Sequence, residues 1–163
     1  MSATSLADRI QRLEDLEAIR DLTARYAFHV NKGWHGKVVD VDAMPSIFTD
    51  DVRYESPDIP ELSAVGLERG VQVLKESTAA LDFSMHSFTN PILAVDGDQA
   101  TGNWLMWIAS KAGGGARQVF ASVDLGYVRQ PQGWRIQSVT LRIGMAIAVG
   151  MAMAAPHGAG ERA

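Results

Sequence analysis

The chain has 163 residues, enough for one domain with its own core, and its 47% apolar and 21% charged residues are ordinary for a water-soluble globular protein. A net charge of −4 with no Lys/Arg cluster excludes the basic patch that neutralises nucleic-acid phosphates. The absence of cysteine excludes disulfides, a thiol nucleophile and a Cys-based metal site, and fits a reducing, cytoplasmic location.

The opening, MSATSLADRIQRLEDLEAIRD, has no basic region followed by an apolar run, so no signal peptide is expected. Ile10, Leu13, Leu16, Ile19, Leu22, Tyr26 and Val30 recur at spacings of three and four, which predicts a long amphipathic helix. Ser5 and Asp8 have the form of a capping box at its start, and Gly33 is the expected stop. Asp15 falls among the charged residues off the apolar stripe. The following NKGWHGKVVDVDAMPSIFTDD reads as a loop and then a short helix over 42–48, with Asp42 as its cap. VRYES reads as a short strand, SPDIPEL as a loop and residues 67–81 as a further helix.

From residue 84 the chain changes character. Three turn signals, DGD at 96–98, AGGGA at 112–116 and QPQG at 130–133, divide four extended runs, which predicts a meander of antiparallel hairpins. The glycine run at 113–115 opens no helix and is not a phosphate-binding loop. Helices first and hairpins after make an α+β fold, with a long helix packed on a curved sheet around an apolar interior suited to a small molecule. One domain is expected over 1–145. The longest apolar stretch, GMAIAVGMAMAAP, is too short to span a bilayer, and the Met/Ala/Gly-rich segment 146–163 is expected to act as a lid, a dimer contact or a frayed end.

Several stretches then carry a resemblance over roughly residues 8–143: LEDLEAIRDLTARYAFHVN, FTDDVRYES, HSFTNPILAVDGDQATGNW and YVRQPQGWRI. Together they resemble the SnoaL-like branch of the nuclear transport factor 2-like superfamily. The resemblance implies a cone-shaped α+β barrel, often a homodimer or higher homo-oligomer. It includes cofactor-independent dehydratases, a dehydrochlorinase, isomerases and polyketide cyclases, as well as non-catalytic binding and assembly members.

In the dehydratase and dehydrochlorinase relatives, the histidine heading the HSFTN-like strand is a base, which is His86 here. Its ordinary pKa near ~6.5 suits that role, although a strand histidine bonded to backbone is the plain alternative. Those relatives orient the base with an aspartate after the first helix, where this chain has Asn31. An amide accepts a hydrogen bond from imidazole but supplies no charge, so Asp40 or Asp42 becomes a candidate replacement, or the carboxylate of an aldol-type cyclase. Tyr26 and His29 sit one helical turn apart near the expected mouth, and Tyr54 lies where scytalone dehydratase-like sequences place a carbonyl-polarising tyrosine. Those sequences carry a second histidine where NWLMWIAS ends in Ser110, which argues against scytalone dehydration itself.

Alternation puts Trp104 and Met106 on one face of their strand and Trp107 on the other, so at most one tryptophan can line the pocket with Met106. Trp34, in a glycine-flanked loop, requires cover from a ligand or a partner. Asp124 is expected to point away from Ala121, Val123 and Leu125, with Arg142 as a possible pair. No histidine pair has metal-ligand spacing, and no metal or other cofactor is expected. The reading is a cofactor-independent lyase or isomerase for a hydrophobic cyclic or aromatic molecule. His86 is the base, Tyr26, Tyr54 and Asn31 assist, and His29, Trp34, Trp104, Met106 and Ser110 contact substrate. The alternatives are a non-catalytic binding or assembly protein, or an aldol-type cyclase.

Overall fold

A computed structural model describes residues 5–149 of the chain. The first helix, α1, runs over Leu6–Val30. Ser5 opens it with a full capping box, its Oγ accepting the Asp8 N–H at 3.1 Å while Asp8 Oδ2 accepts the Ser5 N–H at 3.0 Å. The apolar stripe is buried only in its second half, through Ile19, Leu22, Ala27 and Val30. Leu6, Ile10 and Leu13 keep the spacing but lie exposed, because nothing among the described residues covers that end.

The helix ends earlier than its glycine suggests. Asn31 is the C-cap, in extended conformation, and Gly33 serves a different purpose. Gly33 has φ +101°, and a Cβ there would lie 2.6 Å from the Asp82 carbonyl and 2.9 Å from Phe83 Cα. Its lack of a side chain lets the loop cross the start of the next long strand. Next to it, Lys32 and Ser84 exchange both backbone hydrogen bonds at 3.0 Å. The short helix that follows is a 3-10 segment over Val41–Ser46, capped by Asp40 and not by Asp42, with Asp40 Oδ1 accepting the Ala43 N–H.

Strand β1 is Phe48–Glu55, β2 the two-residue Ala64–Val65, and helix α2 Leu67–Thr78, three residues shorter than its predicted span. The four long strands are β3 Phe83–Asp96, β4 Gln99–Ala112, β5 Gly115–Gln130 and β6 Gly133–Val149, joined by turns at the three predicted positions. The sheet order is β2-β1-β6-β5-β4-β3. The hairpins are antiparallel as expected, but β1 pairs parallel with β6, so the sheet is mixed. Its two edges do not meet, so the barrel is open, and α1 packs against β3. β6 continues to Val149, past the boundary expected at 145, and the remainder of the C-terminal segment lies outside the described residues.

The inner face of the sheet alternates as predicted, with Ala121, Val123, Leu125 and Tyr127 of β5 buried together with Trp104 and Met106 of β4. Asp124 lies on the outer face, accepting hydrogen bonds from Asn103 and Arg142. Ile19, Leu22, Ile47 and Ile136 are completely buried in one cluster, each contributing about 1.5–3 kcal/mol of hydrophobic stabilisation.

Asp15 was expected on the solvent side of α1; it is buried. Its carboxylate receives Arg129 Nη2 at 2.7 Å, Trp134 Nε1 at 3.2 Å and Gln11 Nε2 at 3.2 Å. The Arg129 guanidinium beside it holds the carboxyl below its ordinary pKa, against the opposing effect of burial. This clasp ties α1 to the hairpin between β5 and β6.

Candidate functional site

Inside the curve of the sheet, and capped by α2, lies a cavity of about 380 Å³. Its walls are mostly aliphatic: Val30 of α1, Met44, Val52 of β1, Val73 and Leu74 of α2, Ile108 of β4, and Leu141 of β6. The polar groups that reach it are few, and among them are Tyr26, Tyr54, His86, Ser84 and Ser110. A dry wall with a few convergent polar groups is the usual form of a small-molecule site. Among the described residues, no aspartate or glutamate lines the cavity.

His86 is placed by the inward face of β3, opposite Ile108 of β4. Asn31 Oδ1 accepts the His86 backbone N–H at 2.7 Å and lies 3.2 Å from ring Nδ1. The backbone N–H can only donate, which fixes the amide with its oxygen toward the histidine. Nδ1 then carries the ring proton and donates to that oxygen. The other nitrogen, Nε2, keeps its lone pair and has no hydrogen-bond partner among the described residues. Burial pushes the imidazole pKa down to about 4, so the ring is neutral at pH 7.

His86 also lines a second, more open groove between α1 and β3, formed with Arg20, Thr23, Asn31, Asn90 and others. Asn31 belongs to this groove and does not line the main cavity.

Tyr26 projects from α1 and packs edge-on against Phe48, with ring centroids 5.0 Å apart. Tyr54 comes from β1, where it pairs with Val139 of β6. Burial holds both phenols neutral. It raises Tyr26 well above its ordinary pKa, with a further rise from the neighbouring Tyr54, and pushes Tyr54 up to about 12. Neutral phenols in an apolar wall are hydrogen-bond donors for a carbonyl, an oxyanion or a leaving oxygen.

Thus Tyr26, Tyr54, His86, Met106 and Ser110 meet at one cavity, with Asn31 behind the imidazole. Three other expected contacts lie elsewhere. His29 Nδ1 is 3.1 Å from Asp40 Oδ2 outside the cavity, because a spacing of three residues falls about 60° short of a full turn and directs it away from Tyr26. Trp34 rests edge-on against Phe83 in its loop. Trp104 is buried below the cavity, its indole N–H donating to the Tyr127 hydroxyl at 3.0 Å. Trp107 is on the outer face, as alternation required, stacked on Phe120. Neither Asp40 nor Asp42 replaces the missing carboxylate, since Asp40 caps the 3-10 segment and Asp42 is exposed. A residue the sequence reading missed is Arg117, which lines the cavity from β5; its alternation with Val119 and Ala121 was the available signal.

Among the described residues no cluster of three or more His, Asp or Glu is arranged to hold a metal, and no helix is long and apolar enough to cross a membrane.

Comparison with solved structures gives the same fold at low identity. A hexachlorocyclohexane dehydrochlorinase, LinA-type3 from Novosphingobium barchaimii, is 20% identical over 91% of this chain and 99% of its own, with a TM-score of 0.77. A protein provisionally assigned as a scytalone dehydratase, from Novosphingobium aromaticivorans, is 16% identical over 92% of this chain and 97% of its own, with a TM-score of 0.73. The Kfla4162 protein of Kribbella flavida is 22% identical over 83% and 95%, with a TM-score of 0.74. No curated protein sequence matches the chain. The SnoaL-like domain family matches residues 11–140, most of the helix and sheet framework described above. The chain belongs to the SnoaL-like domain family.

Proposed function

We propose that the protein is a cofactor-independent lyase of the dehydratase type, or an isomerase, acting on a hydrophobic cyclic or aromatic molecule with His86 as general base. The observation that carries this reading is the tautomer of His86. Asn31 holds the proton on Nδ1, leaving the Nε2 lone pair for a substrate against the apolar wall. Nε2 takes a proton from a carbon next to a carbonyl, and Tyr26 and Tyr54 donate hydrogen bonds to the oxygen on which charge develops. In elimination, the C–H electrons form the double bond as the C–O bond breaks. The proton held by the imidazolium returns to the departing hydroxyl, which leaves as water. In isomerisation the same proton returns to a different carbon.

The base is a weak one. A pKa of about 4 lies below the ordinary ~6.5, so part of the driving force has to come from the oxyanion contacts. That observation favours a second reading, a non-catalytic binding protein in which His86 only shapes the pocket. Proton exchange separates the two. With α-tetralone, a two-ring aromatic ketone, in D2O, the lyase reading predicts faster exchange of the α-protons with the protein than with buffer. It also predicts loss of that acceleration in the His86→Gln variant. Exchange at the buffer rate, or equal acceleration by the variant, overturns the catalytic reading.

The proposal includes self-association. The outer sheet face exposes Trp107, Phe120, Leu105 and Met145 in neighbouring positions, a surface suited to a second copy of the chain. Sedimentation of the Trp107→Glu variant as a monomer, against a larger wild-type species, is the expected result.

A further inference from the structure

We infer that the ligand is an amphipathic anion, with an apolar ring body in the cavity and a carboxylate, sulfonate or phosphate group held at the rim by Arg117. This rests on the small-molecule reading of the cavity and extends it to the charge of the ligand.

Among the described residues lining the cavity, Arg117 is the only one with a permanently charged side chain. It has no ion-pair partner among the described residues, whereas Arg129, at the far end of β5, and Arg142 of β6 are each paired to aspartate. Among the described residues, no carboxylate lines the cavity to compete for it. Ser110 faces Arg117 across the β4–β5 pair, and Ser84 faces Ser110 across β3–β4, so one inward row of the sheet reads Ser84, Ser110, Arg117. From the helix side, Ser77 and Thr78 at the end of α2 reach the same cavity. The Thr78 carbonyl at that helix end accepts the Leu81 N–H at 3.1 Å and Lys32 Nζ at 3.2 Å. This end is therefore a hydroxyl-lined rim with two cations near it, leading into an otherwise apolar interior. A planar guanidinium matches such an anionic group with two hydrogen bonds at once.

The register also sets a distance. His86 is two strands from Arg117 and one inward position deeper, which places their backbones about 12 Å apart. An anionic group on Arg117 and a reacting carbon at His86 then suit a body of roughly two to three fused rings.

The test uses two fluorescent probes that share one ring system. 1-Anilinonaphthalene-8-sulfonate is anionic, and N-phenyl-1-naphthylamine is its uncharged counterpart. Arg117→Gln is expected to weaken the sulfonate at least tenfold and to change the neutral probe less than twofold, with Arg117→Lys between the two. Added NaCl is expected to weaken the sulfonate on the wild type and to have little effect on Arg117→Gln. Equal losses for both probes, or no loss for the sulfonate, overturn the inference. The Ile108→Trp variant, which fills the cavity, is expected to release both probes. If that variant misfolds by circular dichroism, Leu74→Trp from α2 replaces it. Sulfonate binding that survives a folded cavity-filling variant places the probe on the outer sheet face and overturns the inference. Since only binding is read, a negative result here leaves the proton-exchange prediction standing, and the reverse also holds.

Discussion

The side-chain oxygen of Asn31 accepts the backbone N–H of His86 at 2.7 Å and sits 3.2 Å from its ring Nδ1, one atom serving two donors of the same residue. Replacing the amide by a carboxylate keeps both contacts and adds a charge beside the ring. Asn31→Asp is therefore expected to raise the His86 pKa from about 4 by one to three units, as an adjacent opposite charge typically does. Ring-nitrogen shifts in an NMR pH titration read this directly. If His86 is the base, proton exchange at neutral pH speeds up in the same variant. Asn31→Ala removes the acceptor instead, leaving the backbone N–H unpaired in a part-buried position, and is expected to cost about 1–3 kcal/mol in urea unfolding.

Burial of His86 also makes stability depend on pH in a defined window. Its folded pKa of about 4 lies below the unfolded value near ~6.5, so between these the unfolded chain binds a proton that the folded chain does not. The neutral ring's contribution is complete above about pH 6.5 and is lost as pH falls toward 4, by up to about 3 kcal/mol. The difference in unfolding free energy between wild type and His86→Gln is expected to slope across that interval and be flat above it. A flat difference throughout would remove the burial argument.

Asp15 acts in a lower window. Its carboxyl is held below the ordinary value, first by Arg129, so its stabilisation is complete above about pH 4 and is lost as pH falls through the folded pKa. Asp15→Ala leaves Trp134 Nε1 and Arg129 without their shared acceptor, and a loss of about 2–4 kcal/mol is expected. Asp15→Asn keeps an acceptor for the indole and is expected to lose less. Thermal denaturation of the two variants at pH 7 ranks them.

Gly33→Ala tests the crossing of the loop over β3. The added Cβ meets fixed backbone at Asp82 and Phe83 in a left-handed conformation, and no side-chain rotation relieves either problem. The expected loss is about 2 kcal/mol or more by urea unfolding. Because Asn31 and His86 lie on the two segments joined there, the histidine ring signals are expected to shift as well.

Much of this architecture is written in local sequence. Glycine-bearing turns announce the three hairpins, and period-two alternation assigns Met106, Val123 and Leu125 inward and Trp107 and Asp124 outward. The convergence of Tyr26, Tyr54 and His86 came only through resemblance, since they lie on three elements far apart in the chain. What local pattern does not encode is pairing at a distance. The parallel contact of β1 with β6 joins segments with no shared turn, and Asp15 looks like a solvent residue until Arg129 and Trp134 are beside it. The exposed Leu13 makes the converse case, an apolar residue at correct helical spacing with no element to cover it. His29 and Trp34 failed to reach the cavity for a related reason: adjacency in sequence to Tyr26 and Asn31 does not fix direction in space.

His86 borders both the main cavity and the more open groove between α1 and β3, so its ring is a partition one side chain thick between two compartments. Truncation to alanine removes a base and also opens a window through which solvent enters from the groove. Glutamine removes the base while leaving the opening largely filled. A defect shared by both variants reports on chemistry at Nε2. A defect confined to alanine reports on a leak, and the wall itself then becomes the functional property of the residue.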